Sequence, residues 1–324
     1  MGKEENENFM TTTDKIRQTL PRRGEFPGME AVPAVQRTGV RHFDIEKIFD
    51  CGQSFRFERV VHTPHEKEFS GVACGKWVSF AQDGDTLTVY NTDEAEFSRV
   101  WEHYLALDTD YDAVCEDILR HCPTPVMREA IQVGEGIRIL RQEPWELTVS
   151  FLLSQNNNIP RIKKIIRTLS GECGAPISLQ PGAAEHFNGD EALFSFPDAA
   201  PLAALGEDGL YAMKTGFRAK YLYDAACRYL SGGLALDETL ADIGLEQAIG
   251  ELCRVRGIGR KVASCILLFS GFHPDAFPVD VWMQRSLARD FPVLLERGAD
   301  PCDVFGPYAG IAQQFLFYRE KYCG

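Results

Sequence analysis

The run from Leu252 to Arg285, LCRVRGIGRKVASCILLFSGFHPDAFPVDVWMQR, leaves few folds open. Residues 245–255 are helix-compatible. Gly257 and Gly259 then permit a tight turn with backbone close to a partner. Helix resumes at Arg260, where Val262, Cys265, Ile266 and Phe269 fall at helical spacing on one apolar stripe. Pro278 biases the residue before it away from helix, and Asp280 is a good N-cap for a helix starting at Val281. The pattern predicts helices over 245–255, 260–271 and 281–290, with a glycine-punctuated hairpin between the first two.

Two residues in this run carry chemical potential. Lys261 sits in the first turn of an apolar helix, where the positive end of the helix dipole disfavours an ammonium. A lysine made reactive in this way can form a Schiff base. Asp280 ends a stiff Pro-Val approach that can hold a carboxylate in one place. The amides of Gly257 and Gly259 would point outward and suit a phosphate. The bland reading, an ordinary helical hairpin with an exposed lysine and a capping aspartate, fits either residue alone.

A formal charge of −13 argues against general attraction to nucleic acid. The positive charge is concentrated, however. Residues 151–170 carry Arg161, Lys163, Lys164 and Arg167 without an acid. Residues 252–270 carry Arg254, Arg256, Arg260 and Lys261, also without one. Residues 211–230 carry Lys214, Arg218, Lys220 and Arg228 against Asp224 alone. The ten cysteines form no C-x-x-C pair, so zinc-ribbon spacing is absent. The spacing of Cys253, Cys265, Cys302 and Cys323 does not suit an iron–sulfur cluster. No apolar run reaches membrane-spanning length, and the opening MGKEENENF lacks an apolar signal core. These features predict an intracellular protein with reduced thiols and no membrane partner, cytoplasmic or nucleoid-associated if the source is bacterial.

Along the chain, residues 1–38 read as a polar tail. Residues 39–135 read as a sheet-containing domain, with strands over 54–61, 77–82 and 86–90 and a hairpin turn at Asp83-Gly84-Asp85. Phe97, Val100, Trp101, Tyr104 and Leu105 mark an amphipathic helix whose aromatic stripe belongs to a core. Residues 136–324 read as helical. The fold class is α+β: an N-terminal antiparallel β-sheet domain with flanking helices, then an all-α domain.

Ser154 to Arg161 reads SQNNNIPR. Consecutive asparagines favour loops, and their amides can hydrogen-bond base edges or fill a gap in a duplex. With the hairpin, this N-N-N-x-x-R segment resembles the eukaryotic-type 8-oxoguanine DNA glycosylases of the helix-hairpin-helix superfamily. CGQSFRF at 51–57, RILRQEP at 138–144, GFRAKY at 216–221 and GPYAGIAQQFLF at 306–317 resemble further segments of that family, in its order. The likeness spans about Val40 to Phe317.

The resemblance implies a monomeric, bifunctional DNA glycosylase and AP lyase acting on double-stranded DNA that contains 8-oxoguanine opposite cytosine. By that likeness Lys261 is the nucleophile, and Asp280 stabilises positive charge on the sugar. Cys265 and Phe317 sandwich the flipped base, the Gly52 carbonyl accepts from N7–H, and Gln313 bonds the Watson–Crick edge. Asn156 fills the vacated duplex, Arg161 and Arg218 read the orphaned cytosine, and Phe217 is a wedge. No cofactor is required. The carbonyls of Cys253, Val255 and Ile258 would hold a structural monovalent cation, K+ or Na+. Three positions depart from the family pattern: Phe217 replaces a tyrosine, Trp282 a histidine and Phe57 a tryptophan. Two rival readings are a monofunctional glycosylase for alkylated bases and a non-catalytic DNA-binding hairpin. The first has no need of Lys261, and the second predicts damage-independent binding with a steep salt slope.

Overall fold

The computed structural model describes residues 32–179, 182–186, 193–296 and 298–323. Five strands form one antiparallel sheet in the order β1-β5-β4-β3-β2. They are β1 (Ala34–Arg37), β2 (Phe57–Arg59), β3 (Lys67–Ala73), β4 (Lys76–Asp83) and β5 (Thr86–Tyr90). Gly84, at φ +57, and Asp85 make the two-residue turn between β4 and β5, which pair from Asp83↔Thr86 to Ser79↔Tyr90. One face packs Phe49, Phe57, Phe69 and Phe80 against Trp101 and Tyr104. The other carries Trp77 and Tyr90 beneath Ile177, Leu179 and Leu193.

Three expectations for this region change. Ala34–Arg37, placed in the polar tail, is a strand paired with β5 from Ala34↔Tyr90 to Arg37↔Leu87. The rest of that tail, 1–31, lies outside the described residues. The interior strand β3, KEFSGVA, carries no clear signal because Ser70 and Gly71 interrupt it. Gly71 is there for space: a Cβ would stand 2.5 Å from the Arg56 carbonyl and 2.8 Å from the Phe57 ring. The 97–105 stripe is core as expected, but Phe97–Trp101 winds as a π turn between short α segments.

The RILRQEP run stitches the sheet to the helices. Arg138 is buried against the Tyr111 ring and donates to the carbonyls of Arg41, His42, Ala106 and Thr109. Gln53 donates to the Ile48 and Arg138 carbonyls, both at 2.9 Å, and accepts from the Leu140 amide at 2.8 Å. Gln142 in turn donates to the Gln53 carbonyl at 2.8 Å, and its own amide reaches the Phe269 carbonyl. Two of the resembling segments, 51–57 and 138–144, are therefore a seam that fixes Gly52 against the helical part.

That part contains the helices Pro144–Ser154, Ile159–Cys173, Ala219–Leu230, Leu245–Leu252, Arg260–Phe269, Val281–Asp290 and Ala309–Cys323, among others. The first hairpin helix ends at Leu252, short of the expected Val255. The 260–269 helix is buried on every side from Val262 onward, rather than along one stripe. Among the described residues, no helix is long and apolar enough to cross a membrane.

Candidate active site

The hairpin sets the first wall. Gly257, at φ +90, lies so close to Tyr221 that a Cβ would meet its ring at 2.4 Å. The turn is stapled by Ile258 N–H to the Val255 carbonyl at 3.1 Å, and the Arg256 amide donates to Asp224 at 2.9 Å. Gly259 precedes the 260–269 helix in extended conformation, and nothing lies within 4 Å of where its Cβ would be. The first-turn amides are thus open to an anion.

Lys261 comes next, half-buried, with Nζ 5.5 Å from the centre of the Phe151 ring. One turn on, the Cys265 thiol is held above its usual pKa. Burial is the main cause; the charge of Lys261 opposes it and that of Asp280 adds to it. Both candidate catalytic groups therefore act on one buried sulfur. Asp280 Oδ1 accepts the Met283 amide at 2.8 Å, which fixes the carboxylate as N-cap of the 281–290 helix.

The second wall is the 309–323 helix. Gly310 lets it press against 274–276, just before Asp280: a Cβ would stand 2.3 Å from the Ala276 carbonyl and 2.6 Å from Leu268. Cys265 and Gln313 each lie one turn from that contact. Gln313 and Phe317, four apart, share a helix face. Gln313 is 4% exposed, and its Oε1 has no hydrogen-bond partner. A buried amide oxygen left this way is costly unless a ligand completes it. Beside it, Gln314 donates to the Cys51 carbonyl at 3.0 Å, which brings Gly52, at φ +84, to the same wall.

The SQNNNIPR loop resolves into three different jobs. Asn157 donates to the Leu153 carbonyl at the end of one helix. Asn158 caps the next, accepting the Arg161 amide at 3.0 Å. Asn156 adopts φ +48 and is exposed, so its side chain is left for a ligand. Arg218, expected as a reader of the orphaned cytosine, is turned inward in the DNA-free fold. It is 2% exposed, donates to the carbonyls of Gln155, Asn156 and Thr215, and lies 4.4 Å from the Phe217 ring centre. It positions the asparagine loop, while Arg161 remains exposed. Phe217 is exposed and meets Tyr221 edge-on at 6.0 Å, the ring that Gly257 packs against. The asparagine loop, Phe217 and the hairpin form one continuous rim.

The basic segments divide in the same way. Lys163, Arg228, Arg254 and Arg260 have carboxylate partners. Among the described residues Arg161, Lys164, Lys214, Arg256 and Lys261 have none within ion-pair reach. Lys214 is also held at φ +67, a conformation uncommon for lysine that its neighbours in sequence do not announce.

These geometries agree with comparisons to known proteins. Residues 36–148 match the family model for the 8-oxoguanine DNA glycosylase N-terminal domain. An Arabidopsis thaliana N-glycosylase/DNA lyase, OGG1, is 34% identical over 291 residues, covering 84% of this chain and 76% of that protein. The apo 8-oxoguanine glycosylase/lyase of Clostridium acetobutylicum superposes with a TM-score of 0.78 at 34% identity, covering 90% of this chain and 99% of that one. The same enzyme bound to double-stranded DNA with cytosine opposite 8-oxoG gives a TM-score of 0.78 at 32% identity, covering 90% and 98%. With its fold and hairpin accounted for, this chain belongs to the 8-oxoguanine DNA glycosylase/lyase family.

Proposed function

We propose that the chain removes 8-oxoguanine paired with cytosine through Lys261 and then nicks the strand by β-elimination. The observation that carries this reading is the half-buried Lys261 one helical turn before the buried Cys265, with Asp280 fixed as the N-cap of the following helix. A base inside a duplex is out of reach, so it must be flipped out, at a cost of a few kcal/mol. Stacking on Phe317 returns roughly 1–3 kcal/mol. The unpaired Gln313 Oε1 is a ready acceptor for a donor on the base edge. The Gly52 carbonyl accepts N7–H, and guanine, lacking that hydrogen, would set acceptor against acceptor.

The Lys261 amine attacks C1′ and gives up a proton as the C–N bond forms. The C1′–N9 bond breaks and its electron pair leaves with the base, which takes up a proton. Asp280 stabilises the positive charge that develops on the sugar. Ring opening gives the Schiff base. Loss of a C2′ proton then expels the 3′ phosphate, and hydrolysis returns the lysine. The hairpin amides around Gly257 and Gly259 receive a backbone phosphate. The carbonyls of Cys253, Val255 and Ile258 would hold a monovalent cation beside it, in keeping with an oxygen-only ligand set. Asn156 and Phe217 occupy the vacated duplex, with Arg161 facing the orphaned cytosine.

The test is product analysis on a duplex with one 8-oxoguanine. Free 8-oxoguanine and a β-elimination fragment are expected when cytosine stands opposite. Asp280→Asn should slow base release at least tenfold. Release of alkylated bases with 8-oxoguanine left intact would overturn the reading.

A further inference from the structure

The first turn of the Val281–Asp290 helix exposes two large apolar side chains next to Asp280. Val281 is 61% and Trp282 53% exposed. The other three tryptophans are committed to the fold. Trp77 and Trp101 are buried, and Trp145 donates to the Pro197 carbonyl at 3.0 Å while stacking on Tyr229 at 5.0 Å. Trp282 has no such employment, yet its ring is not unattended. The Arg285 guanidinium, one turn on, lies 5.5 Å from the ring centre, and no carboxylate among the described residues is within ion-pair reach of that arginine. An exposed indole beside an unpaired guanidinium offers an apolar face and a cation together. A nucleotide unit presents the complement, a flat base or sugar joined to a phosphate.

We propose that Trp282 and Arg285 form a clamp on the lesion-bearing strand. The indole packs on the sugar or base flanking the flipped nucleotide, and Arg285, steadied over that ring, pairs with a phosphate. The clamp rests on the function proposed above. It acts in positioning, since neither side chain touches the reacting bond.

The probe is a duplex carrying a tetrahydrofuran abasic analogue opposite cytosine, which binds without reacting. With the full chain, titration should quench tryptophan emission, and Trp282→Ala should lose most of the quench and bind about tenfold more weakly. Arg285→Ala should keep the quench and lower the slope of log K against log salt by about 1. Both variants should retain single-turnover base release within about twofold at saturating DNA. A full quench in Trp282→Ala, or an unchanged salt slope in Arg285→Ala, overturns the clamp. Borohydride trapping of the wild type on an 8-oxoguanine duplex separates the two levels. An adduct with no Trp282-dependent quench refutes the clamp alone, whereas no adduct removes the function beneath it as well.

Discussion

Gln53 and Gln313 are both buried amides, at 0% and 4% exposure, yet their surroundings differ sharply. Gln53 commits both ends of its amide to backbone: two carbonyls accept from it and one amide donates to it. Gln313 leaves Oε1 without a partner. The first belongs to the seam between sheet and helices, the second to the 309–323 helix, one turn before Phe317. Most buried polar groups are satisfied inside a fold, and among the described residues Gln313 Oε1 is one of the few that are not, together with Trp101 Nε1, Asp117 Oδ2, Ser170 Oγ and Ser286 Oγ. What sets it apart is its place on the helix face that also carries Phe317, where a ligand can complete it.

Removing the seam amide should cost most. Gln53→Leu orphans two carbonyls and one amide, and we expect a loss of about 3 kcal/mol or more, read as a lower urea midpoint. A fall below about 1 kcal/mol would show that the seam is not fixed by this side chain.

Glu146 sharpens the same point through pH. It lies 3.7 Å from the more deeply set Arg56, and burial pushes its carboxyl up to about 7, against the opposing charge of Arg56. Its folded pKa is raised, so the native state binds the extra proton. Its contribution to stability is therefore full below the unfolded value and is lost as pH rises to about 7. The loss is about 3 kcal/mol at most. Glu146→Gln should flatten urea stability between about pH 5 and 7. A wild-type profile that rises through that window would contradict the assignment.

Gln313 should behave in the opposite manner to Gln53. Gln313→Leu is expected to leave stability within about 0.5 kcal/mol of wild type, or to raise it, because an unsatisfied amide is removed. On 8-oxoguanine, kcat/KM should drop by about 1–3 kcal/mol in transition-state terms, measured in steady state. Equal losses of stability and activity would erase the distinction between seam and wall.

The smallest effect contrasts the neighbours in the asparagine loop. Asn158→Ala should cost about 1 kcal/mol of stability through the lost cap. Asn156→Gly should leave stability unchanged or slightly higher, since φ +48 suits glycine, while turnover falls.

The hairpin was legible because its glycines, its helical period and its N-cap each act over a few residues. Lys261 and Asp280 could be singled out for the same reason. Strand β3 was not legible, since Gly71 answers to the Arg56 carbonyl and the Phe57 ring on the neighbouring stretch of chain, which no local pattern reveals. Arg218 shows the same limit. Its place in a motif drew attention to it, but only the fold turns it inward to the Gln155 and Asn156 carbonyls, leaving Arg161 outside. Lys214 owes its left-handed backbone to the loop around it, and the unpaired Oε1 of Gln313 depends on contacts across the fold.

The most direct test of the central claim is borohydride reduction of the reaction on an 8-oxoguanine·cytosine duplex, with mapping of the adduct. One covalent protein–DNA species is predicted, attached at Lys261 and absent from Lys261→Gln. An adduct that forms in Lys261→Gln, or maps to another lysine, would contradict Lys261 as the nucleophile.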